Sequence, residues 1–359
     1  RRALASVADE IAPHLRGRDA LDQAGIDRAL IDLDGMPNKG RLGGNAVIAA
    51  SMAVLHAAAA ANEVPLWRHC AGDGTISIPV PEIQIFGGGA HAARRVDIQD
   101  FMVVCPSAGS FAEALDRTAE IYRAAGRLLA ERGAVQGVAD EGGYWPAFAS
   151  NEEGLALLVR AIEAAGFTPG DEASISLDIA ASSFGREGRY RLSLEDRELD
   201  SDGMIELLGR WIESYPILSI EDPLAEDDAE GFRRFTAAYG DRLQIIGDDF
   251  LVTNAARVER AAGTAACNAV LIKPNQAGTV TETRAALEVA KARGFRTIVS
   301  ARSGETEDVT IAHLAVGWDA GQFKVGSFTR SERMAKWNEM LRIEEALAGQ
   351  ASFARPFDR

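Results

Sequence analysis

Between residues 217 and 324 the chain repeats one pattern, a short β-branched or aliphatic run that closes on a charged residue. The runs are ILSIED at Glu221, QIIGDD at Asp248, AVLIK at Lys273, TIVSAR at Arg302 and QFKVG at Lys324, and SISLDI at Asp178 precedes them. The charged ends recur roughly every 25 residues, about one strand plus one crossover helix. The pattern predicts strands at 217–221, 243–249, 269–273, 296–300 and 321–325. Helices are predicted at 201–214, 226–239, 254–265, 279–294, 306–317 and 331–348. Continuous apolar strands alternating with amphipathic helices read as a parallel βα barrel with its site at the carboxyl ends of the strands.

Upstream the pattern differs. Helical periodicity covers 6–15, 21–33 and 46–61, with the turn-rich connector LDGMPNKGRLGG between the last two. ISIPVPEIQIFGGG reads as a proline-broken strand running into a glycine turn, followed by a strand at 98–104 and helices at 110–133 and 151–166. GGGAH lacks the spacing of a dinucleotide fingerprint. His14, His56 and His69 read as structural, whereas His91, a loop histidine beside glycines, is a functional candidate. Asp140 and Glu141 fall in the turn VADEGGYWP, where acids commonly serve as solvated or capping groups.

At 359 residues the chain is long for one compact core, so two units are expected, 1–75 and 76–359. The net charge of −15 argues against nucleic acid or an anionic membrane as partner, without excluding an anionic substrate held by local lysines. Three scattered cysteines, Cys70, Cys105 and Cys267, form neither a disulfide framework nor a zinc motif and fit a reducing cytoplasm. No run approaches the ~18 apolar residues of a membrane span, and no signal peptide is visible. The chain opens at Arg1 inside a helical pattern, which suggests a missing N-terminal piece.

Asp178, Glu221 and Asp248 offer three carboxylates without histidine or cysteine, a hard-oxygen set that suits Mg²⁺. Lys273 has two readings of equal weight: a general base whose pKa burial depresses, or a cation that neutralises the acids.

SIEDP, GDDFLVTN, LIKPNQAGT, RSGETED, GQFKVG and SERMAKWNEMLRIEEAL, with LDGMPNK, GAH, QDFM and DEGG, resemble the enolase family over residues 1 to about 348. The resemblance implies an α/β protein, a modified (β/α)8 TIM-type barrel with an N-terminal α+β capping domain, usually a homodimer. Here 1–75 would be the helical part of the capping domain, its N-terminal strands missing, and 76–359 the catalytic barrel. It implies dehydration of 2-phospho-D-glycerate to phosphoenolpyruvate with one or two Mg²⁺. By the same resemblance Asp178, Glu221 and Asp248 are the metal ligands, Lys273 the general base and Glu141 the general acid. Lys324 would meet the substrate carboxylate, Arg302 and Ser303 the phosphate, and His91 would stand at the site.

Three departures from the family pattern stand out. Ala301 replaces a histidine, Asp100 a glutamate that supports the acid, and Ala90 a serine, while Arg94 and Arg95 replace small residues. Two added guanidinium groups suit a phosphonate or carboxylate. An enolase-like enzyme acting on a phosphonate is therefore the alternative reading, similar to carboxyphosphoenolpyruvate synthase, and a catalytically inactive binding protein is a third.

Overall fold

The computed structural model describes residues 1–358. Eight strands close into a barrel: β1 Val80–Gly87, β2 Asp100–Val104, β3 Ser174–Asp178, β4 Ile217–Glu221, β5 Gln244–Gly247, β6 Ala269–Ile272, β7 Arg296–Ser300 and β8 Gly321–Gly326. They follow chain order around the ring, and pairing of β8 with β1 closes it. Every neighbour pair is parallel except those of β2, which runs antiparallel to both β1 and β3. The seven parallel strands deliver their carboxyl ends to one face, and β2 brings its first residue, Asp100, to that same face.

The outer helices start where capping chemistry puts them. Ser110, Ser150 and Thr279 each accept a backbone N–H three residues on, at Glu113, Glu153 and Glu282, the S/T-x-x-E signature of a capped start. Asp200, Asp228 and Asn254 cap three further helices in the same way. The barrel interior is divided. Ile246, Ala269, Leu271 and Ile298 fill the side formed by β5, β6 and β7. At the floor, Gln244 and Gln322 exchange amide hydrogen bonds of 2.9 Å across the ring, and Gln244 also donates to Ser219 at 3.1 Å. A buried amide pair of this kind is tolerated because each group finds its partner.

Four helical segments precede the barrel: residues 2–15, which include a π-turn at Ser6–Ile11, then Gln23–Asp34, Gly44–Ala61 and Leu66–Ala71. The first three share a small core of Ile11, Ile26, Leu30, Leu42, Ala46 and Val47, whereas Leu66 and Cys70 of the fourth join the main core. Buried Asp27 anchors them to the barrel, accepting from Ser51 Oγ and from Thr281 N and Oγ1, while Lys39 pairs with Glu282 at 3.0 Å.

The structure corrects one expectation. Gly44–Ala61 has 18 residues and a mean hydropathy of 1.5, so by length and composition it meets the test for a membrane span that the sequence reading found nowhere. It packs as a core helix, with buried Ser51 donating to Asp27 and His56 bonded to Thr310 Oγ1 at 2.8 Å. The proline break expected within 76–89 falls at Pro79: Ser77–Ile78 pairs with Ser352–Phe353, and Val80–Gly87 joins the barrel. Two antiparallel elements were not anticipated, the hairpin Val135–Val138/Tyr144–Pro146 and the sheet Gly185–Arg186, Arg189–Leu192, Arg197–Asp200. They are too short for periodicity to reveal.

Candidate active site

Asp178 and Glu221, the last residues of β3 and β4, are Cα partners, so two carboxylates lie side by side inside the barrel. Lys324, on β8, reaches both, with Nζ 2.9 Å from Asp178 Oδ2, 2.7 Å from Glu221 Oε2 and 3.8 Å from Asp100. Asp248 follows β5 and Lys273 follows β6, and their side chains pair at 2.5 Å. Lys324 thus pairs with Asp178 and Glu221 and Lys273 with Asp248, whose carboxylate lies within 4.8 Å of those of Asp222 and Asp249.

Electrostatics decide the protonation of the group. Burial pushes Glu221 well above the carboxylate range, the adjacent Asp178 adds to this, and Lys324 opposes it. Burial also acts on Asp178, but the Lys324 and Lys273 ammoniums outweigh it and hold that carboxyl below its usual value. Both lysines lose from burial and gain more from the acids, so each is raised, Lys273 chiefly by Asp248 and Lys324 chiefly by Asp178; the depression expected of Lys273 is not found, because the facing carboxylates outweigh burial. The cluster is thus a set of opposed charges that offset one another.

Amide side chains orient the acids. Gln99 donates to Asp178 Oδ2 at 3.0 Å and Gln276 to Asp248 Oδ1 at 2.9 Å. Asp222, buried next to Glu221, accepts from the backbone N–H groups of Asp248 and Asp249 at 2.9 and 2.7 Å, which fixes the turn that presents Asp248. Glu221 Oε1 is buried without a hydrogen-bond partner among the described residues. An orphaned carboxylate oxygen beside two more carboxylates is a donor set for a hard divalent cation, and it fits Mg²⁺.

A second cluster adjoins the first through Asp100, the Cα partner of Asp178. His91, Asp100 and Glu141 bring their ligand atoms within 4.8 Å of one another, with His91 Nδ1 3.9 Å from Glu141 Oε1. Gln84 donates to Asp100 and accepts from Gly143 N at 2.7 Å, tying the DEGG turn to β1. The turn is closed by Gly142, at φ +97°, whose carbonyl accepts from Thr329 Oγ1 at 2.6 Å and Tyr122 Oη at 3.2 Å. Burial, then the Glu141 charge, lifts Asp100 to about 7.

Arg302 lies at the mouth, half-buried, its guanidinium 3.0 Å from Asn275 Oδ1. Buried Arg333 holds the carbonyls of Arg302 and Ser303 and so shapes this loop. Ala301 is buried behind them. Arg94 and Arg95 are exposed on the loop after His91, and Arg95 stacks 5.9 Å over the Trp145 ring. The sequence reading missed Gln84, Gln99, Gln276 and Asp222. Polar residues at inward positions of otherwise apolar strands were the available signal for Gln84, and adjacency to Glu221 for Asp222.

The comparisons with known proteins agree with this geometry. Residues 75–356 match the family described as "Enolase, C-terminal TIM barrel domain", and residues 1–70 match "Enolase, N-terminal domain". The chain is 48% identical over 355 residues to Enolase 1 of Desulfitobacterium hafniense, covering 98% of this chain and 81% of that protein. It is also 48% identical over 354 residues to the enolase of Acidothermus cellulolyticus, covering 99% and 82%. With charged strand ends gathered on one face of the barrel and both family regions matched in order, the chain belongs to the enolase family.

Proposed function

We propose that this chain is a hydro-lyase that dehydrates 2-phospho-D-glycerate to phosphoenolpyruvate, with residues 1–75 capping a catalytic barrel formed by 76–359. One observation carries the assignment of roles. Lys273, after β6, and the Asp100–Glu141–His91 cluster, at β2, lie four strands apart on the ring, with Asp178, Glu221 and Lys324 between them. A proton acceptor and a proton donor on opposite sides suit removal of hydrogen and hydroxide from opposite faces of a substrate.

In this reading a cation engaging Asp248 would relieve the hold that raises Lys273, and the Lys273 amine, then unprotonated, takes the proton from the carbon next to the substrate carboxylate. The electron pair left behind forms the carbon–carbon double bond, and the neighbouring hydroxide departs with the proton of Glu141 as water. Lys324 grips the carboxylate as its charge builds toward an aci-carboxylate dianion, and Arg302 with Ser303 faces the phosphate. A divalent cation held by Asp178, Glu221 and Asp248 would supply the remaining positive charge for that dianion. Asp100 and His91 flank Glu141 and act on its proton. By family likeness we also infer a cytoplasmic homodimer.

Mixing the purified chain with 2-phosphoglycerate and Mg²⁺, and following the ultraviolet absorbance of the enol product, tests this. Turnover of about 1–1000 per second is expected; none at all overturns it. The phosphonate reading leaned on Arg94 and Arg95, which the structure leaves exposed. The same assay with a phosphonate analogue compares the two.

A further inference from the structure

Glu82 is a buried acid to which the reaction above gives no task. It is fully buried on β1, its Cα partner on β8 is Lys324, and its partner on β2 is Val104. Residues in register on adjacent strands point to the same side of a sheet, so Glu82 faces the barrel interior beside Lys324. Neither of its carboxylate oxygens has a hydrogen-bond partner among the described residues. A buried carboxyl without partners is costly, and burial lifts this one to about 7 against the pull of Lys324.

Lys324 explains the position. Its ammonium now rests on Asp178 Oδ2 and Glu221 Oε2, two of the carboxylates that would hold a cation. These oxygens cannot serve a dication and an ammonium equally well, and an ammonium stripped of acceptors inside the barrel would be strongly disfavoured. Asp100 turns Oδ1 to Gln84 and leaves Oδ2 3.8 Å from the ammonium, beyond hydrogen-bond distance. Glu82 offers two oxygens without hydrogen-bond partners at the neighbouring strand position.

We propose that Glu82 is a positioning residue that takes over the Lys324 ammonium, directly or through one bound water, when Asp178 and Glu221 turn to a divalent cation. The inference rests on the cation reading above. Glu82 then keeps Lys324 ordered and facing the substrate, and it lets the cation load without expelling a lysine into an apolar wall.

A double-mutant cycle read by calorimetric titration of the whole chain with Mg²⁺ alone tests this. Glu82→Met should weaken Mg²⁺ binding about ten-fold with Lys324 present, and by less than about two-fold in the Lys324→Met background. An equal loss in both backgrounds would mean a plain through-space charge effect, and no loss in either would mean no role; each overturns the proposal. If Glu82→Met does not fold, the isosteric Glu82→Gln carries the same cycle with a change of about three-fold, since it keeps one acceptor. Glu221→Gln is the control for the reading beneath. Unchanged Mg²⁺ binding there overturns the cation assignment, whereas loss there without coupling between Glu82 and Lys324 overturns this inference alone.

Discussion

Lys324 Nζ lies 2.7 Å from Glu221 Oε2, and the two residues come from strands on different sides of the ring, 103 positions apart in sequence. Each lysine is lodged among acids, Lys324 with Asp178 and Glu221 and Lys273 with Asp248, so the charges of the site offset one another.

Lys273→Ala removes the proposed proton acceptor while leaving Asp248 held by Gln276. Steady-state kcat should fall by about 10²–10⁴, the usual worth of a positioned acid or base, while calorimetric Mg²⁺ binding persists. A variant that keeps more than about a tenth of the turnover, well outside that range, would take the base role away from Lys273.

Gln276 was not visible as a site residue in the sequence, yet its amide donates to Asp248 Oδ1 at 2.9 Å. Partners that orient a ligand typically contribute 10–100-fold to metal affinity, so Gln276→Leu should weaken Mg²⁺ binding by about that factor with little change in folding. Affinity equal to that of the unaltered chain would mean that Asp248 needs no such support.

Gly142 sits at φ +97°, and a Cβ there would fall 2.5 Å from the carbonyl oxygen of Thr329. Gly142→Ala should cost on the order of 1–3 kcal/mol of stability and displace the adjoining Glu141. Thermal melting and kcat should drop together; a lower melting temperature with unchanged kcat would separate this turn from the acid.

Burial raises Glu82 from 4.5 to about 7, with Lys324 opposing and Asp178 reinforcing the shift. Across that window the folded state keeps a proton that the unfolded chain has released. This group's contribution to stability therefore declines as pH rises through the window and stays level above about 7. Glu82→Gln removes the effect. In Mg²⁺-free buffer its melting temperature should match the unaltered chain near pH 4 and exceed it increasingly toward pH 8, the gap reflecting on the order of a few kcal/mol. A gap that does not change with pH would show that Glu82 does not titrate in this range.

Much of the barrel was legible because its signals are local. An apolar run ending in a charge, followed by a capped amphipathic helix, can be read within one βα unit, and the strands from Ile217 to Gly326 lie within one to two residues of expectation. The hairpin Val135–Val138/Tyr144–Pro146 escaped because strands of three or four residues carry no period of their own. Gln84 and Glu82 escaped because an inward side chain at a strand position shows its role only when the neighbouring strand is known.

By itself the sequence determined which residues carry charge, at which strand ends, and in what order, since side-chain chemistry and helix or strand period belong to single segments. The tertiary structure alone decided which charges meet. Reversal of β2 carries Asp100 to the site face, and closure of β8 onto β1 sets Lys324 beside Glu82 and among Asp178 and Glu221. Register between strands is a property of the closed ring, fixed by backbone pairing over distances that no segment of the chain encodes alone.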